Sequence, residues 1–434
     1  MPKTKFFLAA ATLLGTTAFV NAATIFPTSP LIQIGDDTDI FFNGSLSFDL
    51  KDNLYSVADK KSAALVTFTP GFDLQYAKDS PLSASLKAAR SFLRYNKSEY
   101  KDLEQGQDNI TASANYETGG PLTVGVSTSY NESARNDNLA GILGADSGQV
   151  LGATLVRQAN YAHSLNIGYK LSEKLRLNVG FTNSYNDYLN PIKTKTQSPP
   201  GTENINYNTN TLSEINTKSI PISINYKTPS EKLEYGVRFQ HDLSNYSAAP
   251  YFSTSQVLPS GPVTNNPRPP GQQKFTKDFI GLTINGKPTS SGKINITTNV
   301  GYFTSDLDGV SDKGLSYNLT IAHNLTEKFT HELNLVHDVS ASAAGGSTTS
   351  DTIGYSVSYA LLEKVALSFH ALKSKVVSGT TQVDSLDFNA GVNWEYNKYI
   401  RFAATIDTLD SKVKNSPASN FKANSFNLST TFRY

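Results

Sequence analysis

The chain has 434 residues and no cysteine, so neither a disulfide framework nor a thiolate metal site is open to it. Lys and Arg number 38 against 37 Asp and Glu, a net charge of +1, which leaves none of the basic excess that a nucleic-acid partner demands. Mean hydropathy is −0.33, and beyond Val20 no apolar run approaches the roughly 18 residues of a membrane-spanning helix.

At the start, Met1-Pro-Lys-Thr-Lys is a short cationic head, the run from Phe6 to Val20 is apolar on every side, and Asn21-Ala22-Ala23 supplies small residues for cleavage. That order predicts a secretory signal peptide over 1–22. Its removal takes Lys3 and Lys5 away and leaves the exported chain at −1. Residues 23–37 read as a short periplasmic segment. The acidic stretch Asp36-Asp37-Thr38-Asp39 that leads out of it lacks the glycine and the ligand spacing of a calcium loop.

From there onward, apolar and polar residues alternate. Leu122, Val124 and Val126 alternate with Thr123, Gly125 and Ser127, and Leu175, Leu177, Val179 and Phe181 with Arg176, Asn178, Gly180 and Thr182. Leu386, Phe388, Ala390, Val392, Trp394 and Tyr396 do the same between Asp387 and Glu395. A period of two marks a strand and cannot be a helical face. In chain order the pattern predicts strands at 38–50, 62–77, 81–96, 107–117, 121–131, 158–171, 174–188, 213–227 and 232–246. It continues with 273–286, 293–305, 314–325, 328–341, 350–361, 364–377, 382–396, 399–410 and 420–434. These are about eighteen strands near the roughly 10-residue length of a membrane strand, with sixteen as the competing count. Residues 38–434 therefore read as one all-β domain, a transmembrane antiparallel up-and-down β-barrel. Pro70 and Pro221 fall inside strands of a wall that has no edge, so each predicts a bulge or a break.

Every second connection is short and polar, among them Ser172-Glu173-Lys174, Ser230-Glu231-Lys232, Thr326-Glu327-Lys328 and Glu363-Lys364. The connections at 131–157, 189–211 and 247–272 are long, and the last two collect proline, asparagine and threonine. Short periplasmic turns and long extracellular loops are the asymmetry of outer-membrane barrels. The 131–157 connection carries aliphatic runs and is expected either to fold into the lumen or to extend the following strand. Tyr76, Tyr116, Tyr169, Tyr226, Tyr359 and Tyr396 each precede a short turn, where a ring with a polar tip suits the lipid–water boundary. The chain ends on an alternating strand with Phe432 and Tyr434, the form of terminal strand that barrel-assembly machinery reads. The expected setting is the outer membrane of a Gram-negative-type envelope.

More specific wording lies in the N-terminal third. Asp52-Asn53-Leu54-Tyr55, Phe68-Thr69-Pro70-Gly71-Phe72-Asp73-Leu74-Gln75-Tyr76 and Phe92-Leu93-Arg94-Tyr95 resemble segments of the β-barrel porin type 2 family. In that family an Asp-Asn-aromatic loop precedes a Pro-Gly strand and then an aromatic-rich strand; here Leu54 stands where Ile is expected. The resemblance covers residues 40–117 and the terminal strand. It implies an outer-membrane barrel, some of whose relatives are associated with exopolysaccharide export, and it carries over no catalytic or ligand residue.

A search for chemistry finds none that converges. The six His residues form no His-Glu-x-x-His pair. His337-Asp338-Val339-Ser340 places neighbours on alternate faces of a strand, so they cannot meet at one reaction centre. No enzyme, cofactor or metal site is predicted. Alternation instead places Arg176, Glu234, Arg238, Asp242, Glu332, Asp387, Glu395, Arg401, Asp407 and Arg433 in the lumen, since a buried Arg or Lys in lipid costs about 2–4 kcal/mol. Eighteen strands enclose more space than side chains fill, which predicts a water-filled channel for hydrophilic solutes, or a conduit linked to exopolysaccharide export. The alternative is a structural or adhesion barrel with a closed lumen. Expected partners are the lipid bilayer, the assembly machinery and polysaccharide or small hydrophilic solutes, with no nucleic acid.

Overall fold

The computed structural model describes residues 30–54, 60–77, 80–104, 106–117, 119–135, 156–188, 192–197, 203–208, 214–246, 255–256, 274–341, 347–378, 381–414 and 416–434. Eighteen long strands form the wall. The first nine are β1 (Thr38–Lys51), β2 (Ala63–Tyr76), β3 (Leu82–Tyr95), β4 (Gln107–Glu117), β5 (Leu122–Arg135), β6 (Val156–Lys170), β7 (Leu175–Tyr188), β8 (Ile215–Lys227) and β9 (Leu233–Tyr246). The others are β10 (Lys274–Gly286), β11 (Ile294–Leu307), β12 (Val310–Asn324), β13 (Phe329–Ala341), β14 (Ser347–Leu362), β15 (Val365–Ser378), β16 (Thr381–Glu395), β17 (Ile400–Val413) and β18 (Phe421–Arg433). Each pairs antiparallel with the next, and β18 pairs with β1 from Asn43↔Arg433 to Lys51↔Ser425, so the sheet closes on itself. Closure leaves the wall without a free edge, which a bilayer interior without water requires. Tyr434 completes the seam: its N–H donates to the Phe42 carbonyl and its carbonyl accepts from Phe42 N–H, both at 2.7 Å.

Three of the recurrent polar turns share one device. Ser172 Oγ accepts from Lys174 and Leu175 N–H (3.3 and 3.1 Å), Thr326 Oγ1 from Lys328 and Phe329 N–H (3.2 and 3.0 Å), and Asn397 Oδ1 from Tyr399 and Ile400 N–H (both 2.8 Å). A short polar side chain thus takes the amides that the reversing backbone exposes. That is the part Ser172, Thr326 and Asn397 play at the head of their turns; the Glu363-Lys364 turn follows Leu362 instead.

The prolines break ladders without bulging. β2 pairs with β3 up to Phe68↔Phe92 and resumes at Gly71↔Ala89 in the same register, and β8 skips from Ser219↔Thr182 to Ile222↔Val179 of β7. Gly180 faces Pro221, where an added Cβ would lie 2.8 Å from the ring. The register shift present elsewhere lies at Ala360/Leu362.

Outside, Leu46, Phe48, Phe68, Phe92, Val126, Val237, Ile280, Leu282, Ile353, Ile406 and Leu428 are exposed and form an apolar band. Tyr76, Tyr116, Tyr169, Tyr226, Tyr359 and Tyr396 are exposed at its lower edge. An apolar band this extensive has no place in water. With an aromatic girdle at its margin it is the lipid-facing surface of an outer-membrane barrel.

The long-and-short rule holds only for part of the molecule. β11 and β12 are joined on the long-loop side by Asp308-Gly309 alone, both with positive φ (51° and 89°), so the predicted 305–314 gap is a tight hairpin. The connection from β15 to β16 is equally brief. Beyond the wall, Ile192–Gln197, Glu203–Asn208 and Ser255–Gln256 make a small sheet that joins the loop after β7 to the loop after β9. Ile32–Ile34 folds back on Thr38–Ile40 through a Gly35 turn, so the acidic Asp36-Asp37 pair lies in a hairpin at the barrel's lower rim. The predicted signal peptide and the aliphatic runs between β5 and β6 lie outside the described residues.

Candidate functional site

The inner wall follows from the outer one, because every residue between two lipid-facing neighbours points into the lumen. From β3 to β8 two neutral rows run along it. Ser85, Ser113, Ser127, Ser164, Thr182 and Ser219 stand opposite one another strand by strand. Above them runs Asn109, Asn131, Asn160 and Asn186. Their bonds run along the wall: Ser85–Ser113 at 2.9 Å, Ser127–Ser164 at 2.7 Å and Thr217–Ser244 at 2.8 Å.

Charge collects elsewhere. Arg176 faces inward on β7 opposite Lys170 and Asn225, and Glu234 on β9 opposite Lys227 and Asn285. Higher on β9, Arg238 donates to Gln240, which donates to both oxygens of Asp242 at 2.8 and 2.9 Å, a ladder along one strand. Glu332 on β13 lies opposite Ala322 and Ser356. Asp387 on β16 and Asp407 on β17 are diagonal neighbours, each with one buried oxygen that has no hydrogen-bond partner among the described residues. Glu395 accepts from Arg401 at 2.9 Å. Arg433 donates to Asp73 at 3.0 Å across the seam and lies 4.1 Å over the Phe41 ring. These ion pairs join strands within the same stretch of wall and do not bridge the lumen.

Asp73, Lys277 and Asp338 also face inward and were not among the lumen residues expected from the sequence. Asp73 sits in the Pro-Gly strand, and the alternation of Lys277 with Ile280 and Leu282 is the signal that places it. His337 and Asp338 point to opposite faces: His337 contacts Asp351 outside at 2.5 Å, while Asp338 accepts from Ser316 at 2.9 Å inside. Among the described residues no group of three or more His, Asp or Glu could hold a metal ion.

The rim on the side of the long connections is unlike the rest. Ile215, Tyr246, Phe275, Phe279, Phe303 and Val339, from β8 to β13, form one buried apolar cluster. Phe275, Phe279 and Phe303 share the inward face with the hydroxyl rows. Val339 by alternation belongs to the outward face of β13 yet is only 2 % exposed. The β12–β13 ladder stops at Tyr317↔His337, whereas β11–β12 runs on to Leu307↔Val310 and β13–β14 to Ala341↔Ser347. Gly281 and Gly301 pair on β10 and β11 beside this region, and an added Cβ on Gly301 would come within 2.1 Å of the Ile280 carbonyl oxygen, so the two strands can approach closely only because both are glycine.

No family model matches the sequence, and no curated protein does. Among solved structures, the ferric enterobactin receptor mutant R480A of Pseudomonas aeruginosa is similar at 9 % identity and a TM-score of 0.46, over 93 % of this chain and 82 % of its own. The outer membrane protein OpdK of the same organism gives 9 % and 0.46, over 92 % and 99 %. A loop-deletion mutant of OmpT, an outer membrane protein of Vibrio cholerae, gives 12 % and 0.38, over 92 % and 100 %. OpdK and OmpT are outer membrane proteins; the barrel of this chain stands on its own ladder and its own lipid-facing band.

Proposed function

We propose that the protein is a porin-like channel that passes small hydrophilic solutes across the outer membrane. The observation that carries this reading is the way the inner wall bonds to itself: Ser, Thr and Asn rows pair along the wall, and the ion pairs of the sector from β16 to β2 stay within it. An eighteen-stranded wall encloses more space than its side chains fill, so water occupies the rest. The neutral rows offer hydroxyl and amide groups to uncharged or weakly charged solutes, and the charged sector from β16 through β18 to β2 presents both signs. Purified protein in a planar bilayer should give discrete conductance steps, and liposomes carrying it should swell in small sugars. A correctly folded barrel that conducts nothing would favour the adhesion or structural alternative. The exopolysaccharide link rests on the resemblance of the Asp-Asn-Leu and Pro-Gly segments alone. Uptake of oligosaccharides of increasing length by the same liposomes tests it.

A further inference from the structure

Lys277 sets the problem. It lies on β10, its side chain faces the lumen, and it is 7 % exposed. Its ammonium donates to the Asp338 carboxylate and, at 3.0 Å, to the Val339 carbonyl, both on β13. Three strand spacings of about 4.8 Å would hold β10 and β13 about 14 Å apart along a smooth wall, well beyond the reach of a lysine. The upper end of β13 has therefore left the wall and lies against the inner face of β10 and β11. The buried Val339 says the same, because the outward face of a strand that has stepped inside meets the inward face of its neighbours. The upper half of β12, laddered to β11 alone, and the early end of the β12–β13 ladder mark where the step occurs.

We infer that the tip of β13, residues 338–341, stepped inside the wall, is the element that narrows the extracellular mouth, and that Lys277 is its clamp. This rests on the channel reading and names what limits the channel. The tip is seated by apolar contact of Val339 with the Phe275–Phe279–Phe303 face, and Ser316 supplies a second donor to Asp338. A second position is open to Lys277. Asp242 stands directly opposite it on β9 and, among the described residues, is engaged from its own strand, by hydrogen bonds from Gln240 and by the charge of Arg238. A lysine that exchanges Asp338 for Asp242 would release the tip without being left unpaired. A wall segment with two arrangements and a residue able to serve both is a gate built into the sheet.

The chain has no cysteine, so a bridge can be built at will. The paired variant Lys277→Cys, Asp338→Cys, linked by a reversible bis-thiosulfonate, should hold the small pore, and reduction of the same sample should raise unit conductance on the order of twofold, as a wider constriction requires. Lys277→Ala alone should also conduct more than the parent and admit larger neutral polymers. Heat-modifiable migration on gels checks that each variant is folded. A parent that conducts, with bridged and reduced forms of equal conductance, overturns the gate and leaves the channel standing. A protein silent before and after reduction overturns the channel reading, and the gate with it.

Discussion

Arg433 and Tyr434 show how much one residue can carry at the seam of a closed sheet. Asp73, whose side chain is 4 % exposed, is held by Arg433 from β18, the last strand in the sequence. Removing one partner of a buried pair leaves the other charge uncompensated, at a cost of about 3 kcal/mol. Arg433→Ala should therefore lower the unfolding midpoint in detergent markedly, while Arg433→Lys restores part of the loss. Tyr434 holds Phe42 through two backbone bonds and stacks on Tyr399 with ring centres 5.2 Å apart. Deleting Tyr434, or replacing it by Lys, should block assembly while export to the periplasm continues, read as loss of heat-modifiable migration. Alternation within a strand is enough to turn Arg433 inward. It says nothing about Asp73, because that contact depends on a register between residues 360 apart in sequence.

At the scale of elements, strands were far more legible than the connections between them. Lipid on one face and water on the other force a period of two, and that constraint reaches every strand. It stops where the membrane stops, so β5, β11, β12 and β17 run past the expected ends, at Arg135, Leu307, Val310 and Val413. The Asp308-Gly309 hairpin was hidden among polar residues, although Asp-Gly is the pair that a tight turn with positive φ favours. The Asp52-Asn53-Leu54 segment likewise gains its meaning only in the fold. Asp52 accepts from Asn424 N–H and Nδ2 at 2.6 and 2.7 Å, and Leu54 packs with Ala63 and Tyr100, latching the first loop onto the last strand. Burial pushes the Asp52 carboxyl up, but the bonds from Asn424 and the Lys60 ammonium outweigh it and hold it below its usual 3.8. A carboxylate depressed in the folded state stabilises above its unfolded pKa and loses that contribution as pH falls through the folded one. Asp52→Asn should therefore be less stable than the parent at neutral pH, by less than about 1 kcal/mol for so exposed a group. The difference should close below pH 3.8, in paired melts across an acid series.

For the whole molecule, the decisive question is which rim faces outward. The small sheet of Ile192–Gln197, Glu203–Asn208 and Ser255–Gln256 stands beyond one rim, and the capped turns at Ser230 and Thr326 lie at the other. Both turn residues are exposed on the protein itself, so only the membrane can shield them in an intact cell. The absence of cysteine makes single-cysteine reporters clean. A maleimide small enough to cross the barrel would reach both rims and decide nothing, so the reagent must be a maleimide polymer too large for an eighteen-stranded lumen. On intact cells it should shift Thr196→Cys and Asn206→Cys on a gel, and leave Ser230→Cys and Thr326→Cys unmodified. Permeabilising the outer membrane should bring the last two up to the level of the first. Reaction at Ser230→Cys or Thr326→Cys in intact cells would invert the barrel, and would move the apolar mouth and its Lys277 clamp from the extracellular rim to the periplasmic one.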